Sequence, residues 1–91
     1  MADKNQIYTQ AEIAFGRKHQ MVKAIEELSE LQKAITKIVL AEKPTKKMFE
    51  NFTEEIADVE IMVEQIKRLY ECDSEVQIKR KLKLNRLNEL S

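Results

Sequence analysis

The sequence predicts an all-α protein: an antiparallel helical hairpin at the core of a four-helix bundle. Three observations carry that reading. The 91 residues include one glycine and one proline, so almost nothing in the chain interrupts a helix. Apolar residues recur at helical spacing over long stretches. The lone proline, Pro44, falls between the two longest of them, where a turn would pair them as antiparallel neighbours. The length fits one domain over residues 1–91. So small a domain buries a modest share of its surface, and oligomerisation is expected to complete the bundle.

The first helix is expected from about Asp3 to Phe15, with Ile7, Ala11, Ala14 and Phe15 at helical spacing. Thr9 and Glu12 also match a capping box, which offers a later start. Gly16 ends this helix or bends the junction. The second helix is expected from about Arg17 to Ala41, with Val22, Ile25, Leu28, Ile35, Ile38 and Val39 on one apolar arc. Ala24 and Ala34 flank the acidic edge of that arc and leave room for a ligand or a close partner. Glu42 to Thr45 form the turn. The third helix runs from about Thr45 to Glu71, with an arc of Phe49, Phe52, Ile56, Val59, Val63, Ile66 and Tyr70. Ser74 and Gln77 fit a capping box for a fourth, basic and leucine-rich helix. Its apolar residues point in more than one direction, which suits a helix wedged between two surfaces.

Two acidic clusters sit inside this pattern, Glu26-Glu27-Leu28-Ser29-Glu30 and Glu54-Glu55-Ile56-Ala57-Asp58. Glu27 with Glu30, and Glu55 with Asp58, stand three residues apart and so share a helix face. The second pair lies about 11 to 14 residues past Pro44 and the first about 14 to 17 before it; at about 1.5 Å per residue these depths agree within one turn. Glu55 falls inside its apolar arc, a costly place for an unpaired carboxylate. Four carboxylates in one cleft cannot all stay ionised unless a cation neutralises them, and a hard divalent ion such as Mg²⁺ takes oxygen ligands of this kind. The competing reading is a charged seam with lysines set against the acids.

Composition excludes other classes. One glycine leaves no glycine-rich phosphate loop. One histidine and one cysteine, His19 and Cys72, make no ordinary zinc site. His19 has Gly16 three residues before it, so the Glu-x-x-His motif of helix-bundle di-iron sites fails. Charged residues are 35% of the chain but balance to zero, so no basic field steers nucleic acid. There is no membrane-length apolar run, and the residues from Met1 to Gln6 lack a signal-peptide core, so a soluble cytoplasmic protein is expected. The basic run Lys79-Arg80-Lys81, Lys83 and Arg86 reads as a solvated face or, more sharply, as a phosphate clamp over the acidic cleft.

The pattern Glu26-Glu27-x-x-Glu30 followed by Glu55-x-x-Asp58 resembles the MazG-like all-α nucleoside triphosphate pyrophosphohydrolases. Phe15-Gly16 and Gln20 ahead of the first motif, and Lys83-Leu84-Asn85-Arg86-Leu87 in the tail, are similar to short, phage-type members over roughly residues 11 to 90. The resemblance implies Mg²⁺, with Mn²⁺ as a substitute, held by Glu27, Glu30, Glu55 and Asp58. It implies cleavage of an NTP or dNTP between the α and β phosphates, giving monophosphate and pyrophosphate. It assigns proton abstraction to Glu26 or Glu30, phosphate contacts to Lys83 and Arg86, and a homodimeric or homotetrameric assembly. The metal motif is shared by relatives with different nucleotide substrates, so base and sugar stay open. The alternative function is a non-catalytic oligomerisation or regulatory module with the same fold. A chorismate mutase ranks last, because its dianionic substrate calls for cations where these helices offer carboxylates.

Overall fold

The computed structural model describes residues 3–90. Met1 and Ala2, part of the stretch read for a signal sequence, and Ser91, the end of the expected domain, lie outside the described residues. Four helices follow one another: α1 Lys4–Phe15, α2 Arg17–Leu40, α3 Lys46–Leu69 and α4 Asp73–Leu90. There is no strand among the described residues. The all-α class and the antiparallel α2–α3 hairpin are as the sequence leads one to expect. No described helix is long and apolar enough to cross a membrane.

Each boundary has a local cause. Asp3 caps α1 by accepting from the Gln6 backbone N–H at 2.8 Å, while the Gln6 side chain accepts from the Asp3 N–H at 3.0 Å. The alternative start at Thr9 is not used, and the Thr9 hydroxyl donates instead to the Asn5 carbonyl. Thr45 caps α3 through the Met48 N–H at 3.1 Å, one residue past the proline. The Schellman pattern closes α3. Glu71 takes φ 49, its N–H reaches the Arg68 carbonyl, and the Cys72 N–H reaches the Lys67 carbonyl at 3.0 Å. Helix α4 begins at Asp73, ahead of the Ser74 that the capping box suggested, and the Asp73 carboxylate accepts from the Gln77 side-chain amide one turn on, at 2.9 Å.

Gly16 joins α1 to α2 with φ 78 and ψ 161, a region that side chains with a Cβ rarely enter. A Cβ built there meets nothing within 4 Å, so only the backbone conformation requires glycine. Gly16→Ala is expected to destabilise the protein by about 1–3 kcal/mol. Urea unfolding monitored by circular dichroism would measure it, and an unchanged midpoint would show that the junction relaxes without strain.

The core is small and lies along the α2–α3 seam. Ala24, Ala34, Met62 and Leu69 are buried there, with Tyr8 of α1. The alanines read from sequence as spacers are the most buried residues of α2, because they let α3 approach closely. The apolar arc of α2 is largely uncovered. Val22, Ile25, Leu28, Ile35 and Val39 all remain exposed in the single chain. Helix α4 buries none of its residues. The radius of gyration is 16.1 Å, against about 12 Å for a compact domain of this length. One chain alone leaves much of its apolar surface in water.

A polar network fastens α1 across the end of α3. Tyr8 donates from its hydroxyl to Glu64 at 2.5 Å, and Lys4 reaches the same carboxylate at 3.2 Å. Arg68 donates to the Thr9 hydroxyl and lies 3.6 Å from Glu12. Lys4, Tyr8, Glu12, Glu64 and Arg68 line a cleft of about 620 Å³. Burial and the neighbouring Glu64 carboxylate push the Tyr8 phenol up to about 12. Tyr8→Phe is expected to cost about 1.5–3 kcal/mol, the worth of a hydrogen bond to a charged group. Hydrogen exchange should show the loss as faster opening of α1 amides, with α2 and α3 unaffected. Equal acceleration in all three helices would mean that α1 does not open by itself.

Candidate metal centre

The hairpin places the two acidic motifs face to face at the level of Glu27. Carboxylate oxygens of Glu27, Glu55 and Asp58 all lie within 4.8 Å of one another. Glu27 and Glu55 are half-buried and Asp58 is exposed, so the group opens to solvent on one side. Opposite oxygen ligands of one Mg²⁺ stand about 4.2 Å apart, so the three side chains are at or near a coordinating span.

Glu55 is the residue under most stress. Its Oε2 is buried without a hydrogen-bond partner. Desolvation pushes its carboxyl above the ordinary range, and the charges of Asp58, Glu27, Glu30 and Glu54 push it further. Glu27 has a partial answer in Lys23, 3.3 Å away on the preceding turn. Lys23 in turn is held protonated, chiefly by its hydrogen bond to Glu27. This ion pair is what a charged seam would show.

The other expected site residues are less engaged. Glu30 does not join the three. Its carboxylate is half exposed and pairs with Lys33 at 3.3 Å, although its charge is felt at Glu55. Glu26 faces water, with Lys23 at 3.7 Å. Lys83 and Arg86 lie on the exposed face of α4, with no ion pair to any described acid. Gln20 is buried. It is 4% exposed, and neither its amide oxygen nor its nitrogen has a partner. It stands seven residues before Glu27, two turns along the same face of α2. Its burial was not readable from the sequence, because the signal is the packing of neighbouring helices over the first turn of α2.

Fold and site together define a class: a small all-α chain whose two-helix core presents a carboxylate triad in which one member, Glu55, has an oxygen buried without a partner. Set against known protein families, curated proteins and solved structures, the chain matches none of them.

Proposed function

We propose that the chain is a Mg²⁺-dependent nucleoside triphosphate pyrophosphohydrolase. The observation that carries the reading is Glu55. A half-buried carboxylate with an orphaned oxygen, facing two further carboxylates within 4.8 Å, is set against ionisation unless a cation joins it. The donor set fits Mg²⁺, which prefers carboxylate oxygens and keeps several waters. The MazG-like motif supplies the reaction, cleavage of an NTP or dNTP between the α and β phosphates.

Glu27, Glu55 and Asp58 would hold the ion, with Glu30 reaching it once released from Lys33. Bound Mg²⁺ would supply charge neutralisation for the triphosphate and a lowered pKa for the attacking water. Glu26, or Glu30 where it is not a ligand, accepts the water's proton as general base. Lys83 and Arg86 contact the phosphates from α4, which brings them to the acids from their present exposed positions. The products are a monophosphate and pyrophosphate. The active form is a homodimer or homotetramer, Mn²⁺ substitutes for Mg²⁺, and the protein works in the cytoplasm.

The test is ³¹P NMR of the purified protein with a panel of NTPs and dNTPs plus Mg²⁺. Pyrophosphate with monophosphate supports the reading, and stepwise release of orthophosphate overturns it. The Lys23–Glu27 and Lys33–Glu30 pairs favour a second reading, a non-catalytic helical module whose acids only balance lysines. That module would show neither turnover nor Mg²⁺-linked stabilisation.

A further inference from the structure

Helix α4 concentrates positive charge in a chain whose charges sum to zero. Lys79, Arg80, Lys81, Lys83 and Arg86 fall within eight residues, with no acid among them. They do not all face the same way. Stepping about 100° per residue, Gln77, Arg80, Lys81, Leu84 and Asn85 share one side of α4, whereas Lys79, Lys83 and Arg86 lie about 100° or more from Leu84. The first group meets Lys67 of α3 across a groove of about 420 Å³. Three cations and two amides line it with Leu84, and no carboxylate does. The cleft beside α1 is the opposite case: there Glu12, Glu64, Glu71 and Asp73 answer Lys4, Lys67 and Arg68. Of the three cations in the groove, Lys67 has an acid, Asp73 at 3.1 Å, which the Gln77 amide also holds at 2.9 Å. Arg80 and Lys81 make no ion pair with any described acid.

We infer that this groove binds a chain of linked phosphates, at a site separate from the metal centre. Cations gathered without a counter-charge repel one another, and an anion between them relieves the repulsion. The Arg80 guanidinium offers paired N–H donors that match two phosphate oxygens, while Lys67 and Lys81 act as point charges. The side-chain amides of Gln77 and Asn85 add further donors. From Gln77 to Asn85 the lining runs about 12 Å along α4, longer than one phosphate and suited to two or three in a row. No aromatic side chain lines the groove, so the bases of a nucleic-acid strand find nothing to stack on. The chemistry recognised is therefore that of the phosphates themselves, shared by pyrophosphate, tripolyphosphate and the tail of a nucleoside triphosphate. Position keeps the groove apart from the carboxylate triad. Lys67 lies nine residues past Asp58, about 14 Å along α3 and about 180° around it. Binding here needs neither the metal nor nucleotide cleavage.

The experiment is isothermal titration calorimetry of the full chain with sodium tripolyphosphate, in EDTA and at about 50 mM salt, where charge contacts are weakly screened. Saturable binding of one ligand per chain is expected, and ¹H–¹⁵N NMR of the same titration should move the amides of Lys67, Arg80, Lys81 and Asn85. Arg80→Gln and Lys81→Gln should each weaken binding by about tenfold or more. Lys79→Gln removes the same charge from another side of α4 and should change it by less than about twofold. Circular dichroism checks that the variants keep their helices. Titrations with pyrophosphate and ATP identify the source of the phosphates. ATP bound as tightly as tripolyphosphate makes this a site for a nucleotide's tail, and a preference for the inorganic chains makes it a site for free condensed phosphate; either supports the inference. Absence of saturable binding overturns it, as does binding no tighter than that of sulfate. Equal weakening by Lys79→Gln and Arg80→Gln would make α4 a diffuse positive surface and overturn it too. Tighter binding of a single-stranded oligonucleotide than of tripolyphosphate would make the groove a nucleic-acid surface instead. Shifts centred on Glu27 and Asp58 would place the anion at the acidic motifs and remove the separate site. No arm of this test uses turnover, so loss of the pyrophosphohydrolase reading leaves it intact.

Discussion

Glu55→Gln is expected to lower nucleotide turnover by on the order of 10³-fold or more, beyond the 10- to 100-fold typical of groups behind the ligands, while raising the Tm of the metal-free protein. The two effects have one cause. Glu55 is the carboxylate whose oxygen is buried without a partner and whose charge is opposed by Asp58, Glu27, Glu30 and Glu54. An amide of the same shape removes a ligand and removes the repulsion together. In the wild type, Mg²⁺ at a hundredfold excess over its Kd should raise the Tm by on the order of 10 °C, and in the variant that rise should largely vanish. The pH dependence gives a second readout in EDTA. The folded state holds the Glu55 proton above the ordinary value of 4.5, so it binds more protons than the unfolded state in that window. Stability contributed at Glu55 therefore falls as pH rises from 4.5 through the raised folded value. Glu64 and Asp73 run the other way. Tyr8 and Lys67 respectively hold their carboxyls low, so their contributions are present above the ordinary values and are lost as pH falls through the lowered ones. Calorimetry from about pH 3 to about pH 8 should show the fall on the upper side disappear in Glu55→Gln and the acid loss remain. Normal turnover in the variant would sink the metal-centre reading.

What the sequence made legible follows from the kind of information each feature needs. The four helices, the turn at Pro44 and the level pairing of the acidic motifs depend on spacing along the chain, and spacing is written in it. The anomaly at Glu55 was visible for the same reason, as a carboxylate inside an apolar arc. The particular side chains that meet were not. Glu30 shares a helix face with Glu27, yet Lys33 on the next turn captures it at 3.3 Å. Such a choice between neighbours turns on rotamers rather than on periodicity. The apolar arc of α2 is legible as a stripe, and its Leu28, Ile35 and Val39 lie outside the two-helix seam of the single chain. Periodicity says that a face needs covering and is silent on whether its own chain or another copy does so. The clasp of Tyr8, Glu64 and Arg68 joins groups more than fifty residues apart in sequence, with no motif to announce it.

Ala24→Leu should be the most damaging change on the apolar side of the seam, and comparing it with Ala34→Leu separates packing from chemistry. The two alanines are 3% and 2% exposed, the most deeply buried apolar residues of the seam. Leucine at either position adds three carbons where there is no space, and overpacking of this kind costs about 1–3 kcal/mol. At about 4–8 °C per kcal/mol for a domain of this size, each variant should lose about 5–20 °C in Tm. Their consequences for the acidic motif differ. Ala24 lies three residues from Glu27 on the same face, so splaying the helices there draws Glu27 away from Glu55 and Asp58. Ala34 lies seven residues to the other side, about 10 Å along the axis and toward the turn, where the chain connection limits how far the helices part. Ala24→Leu should therefore lose most of the Mg²⁺-linked rise in Tm, and Ala34→Leu should keep it. Equal retention in both would mean that the carboxylates find one another without the close approach of α2 and α3, and equal loss would mean that the hairpin opens as one rigid unit.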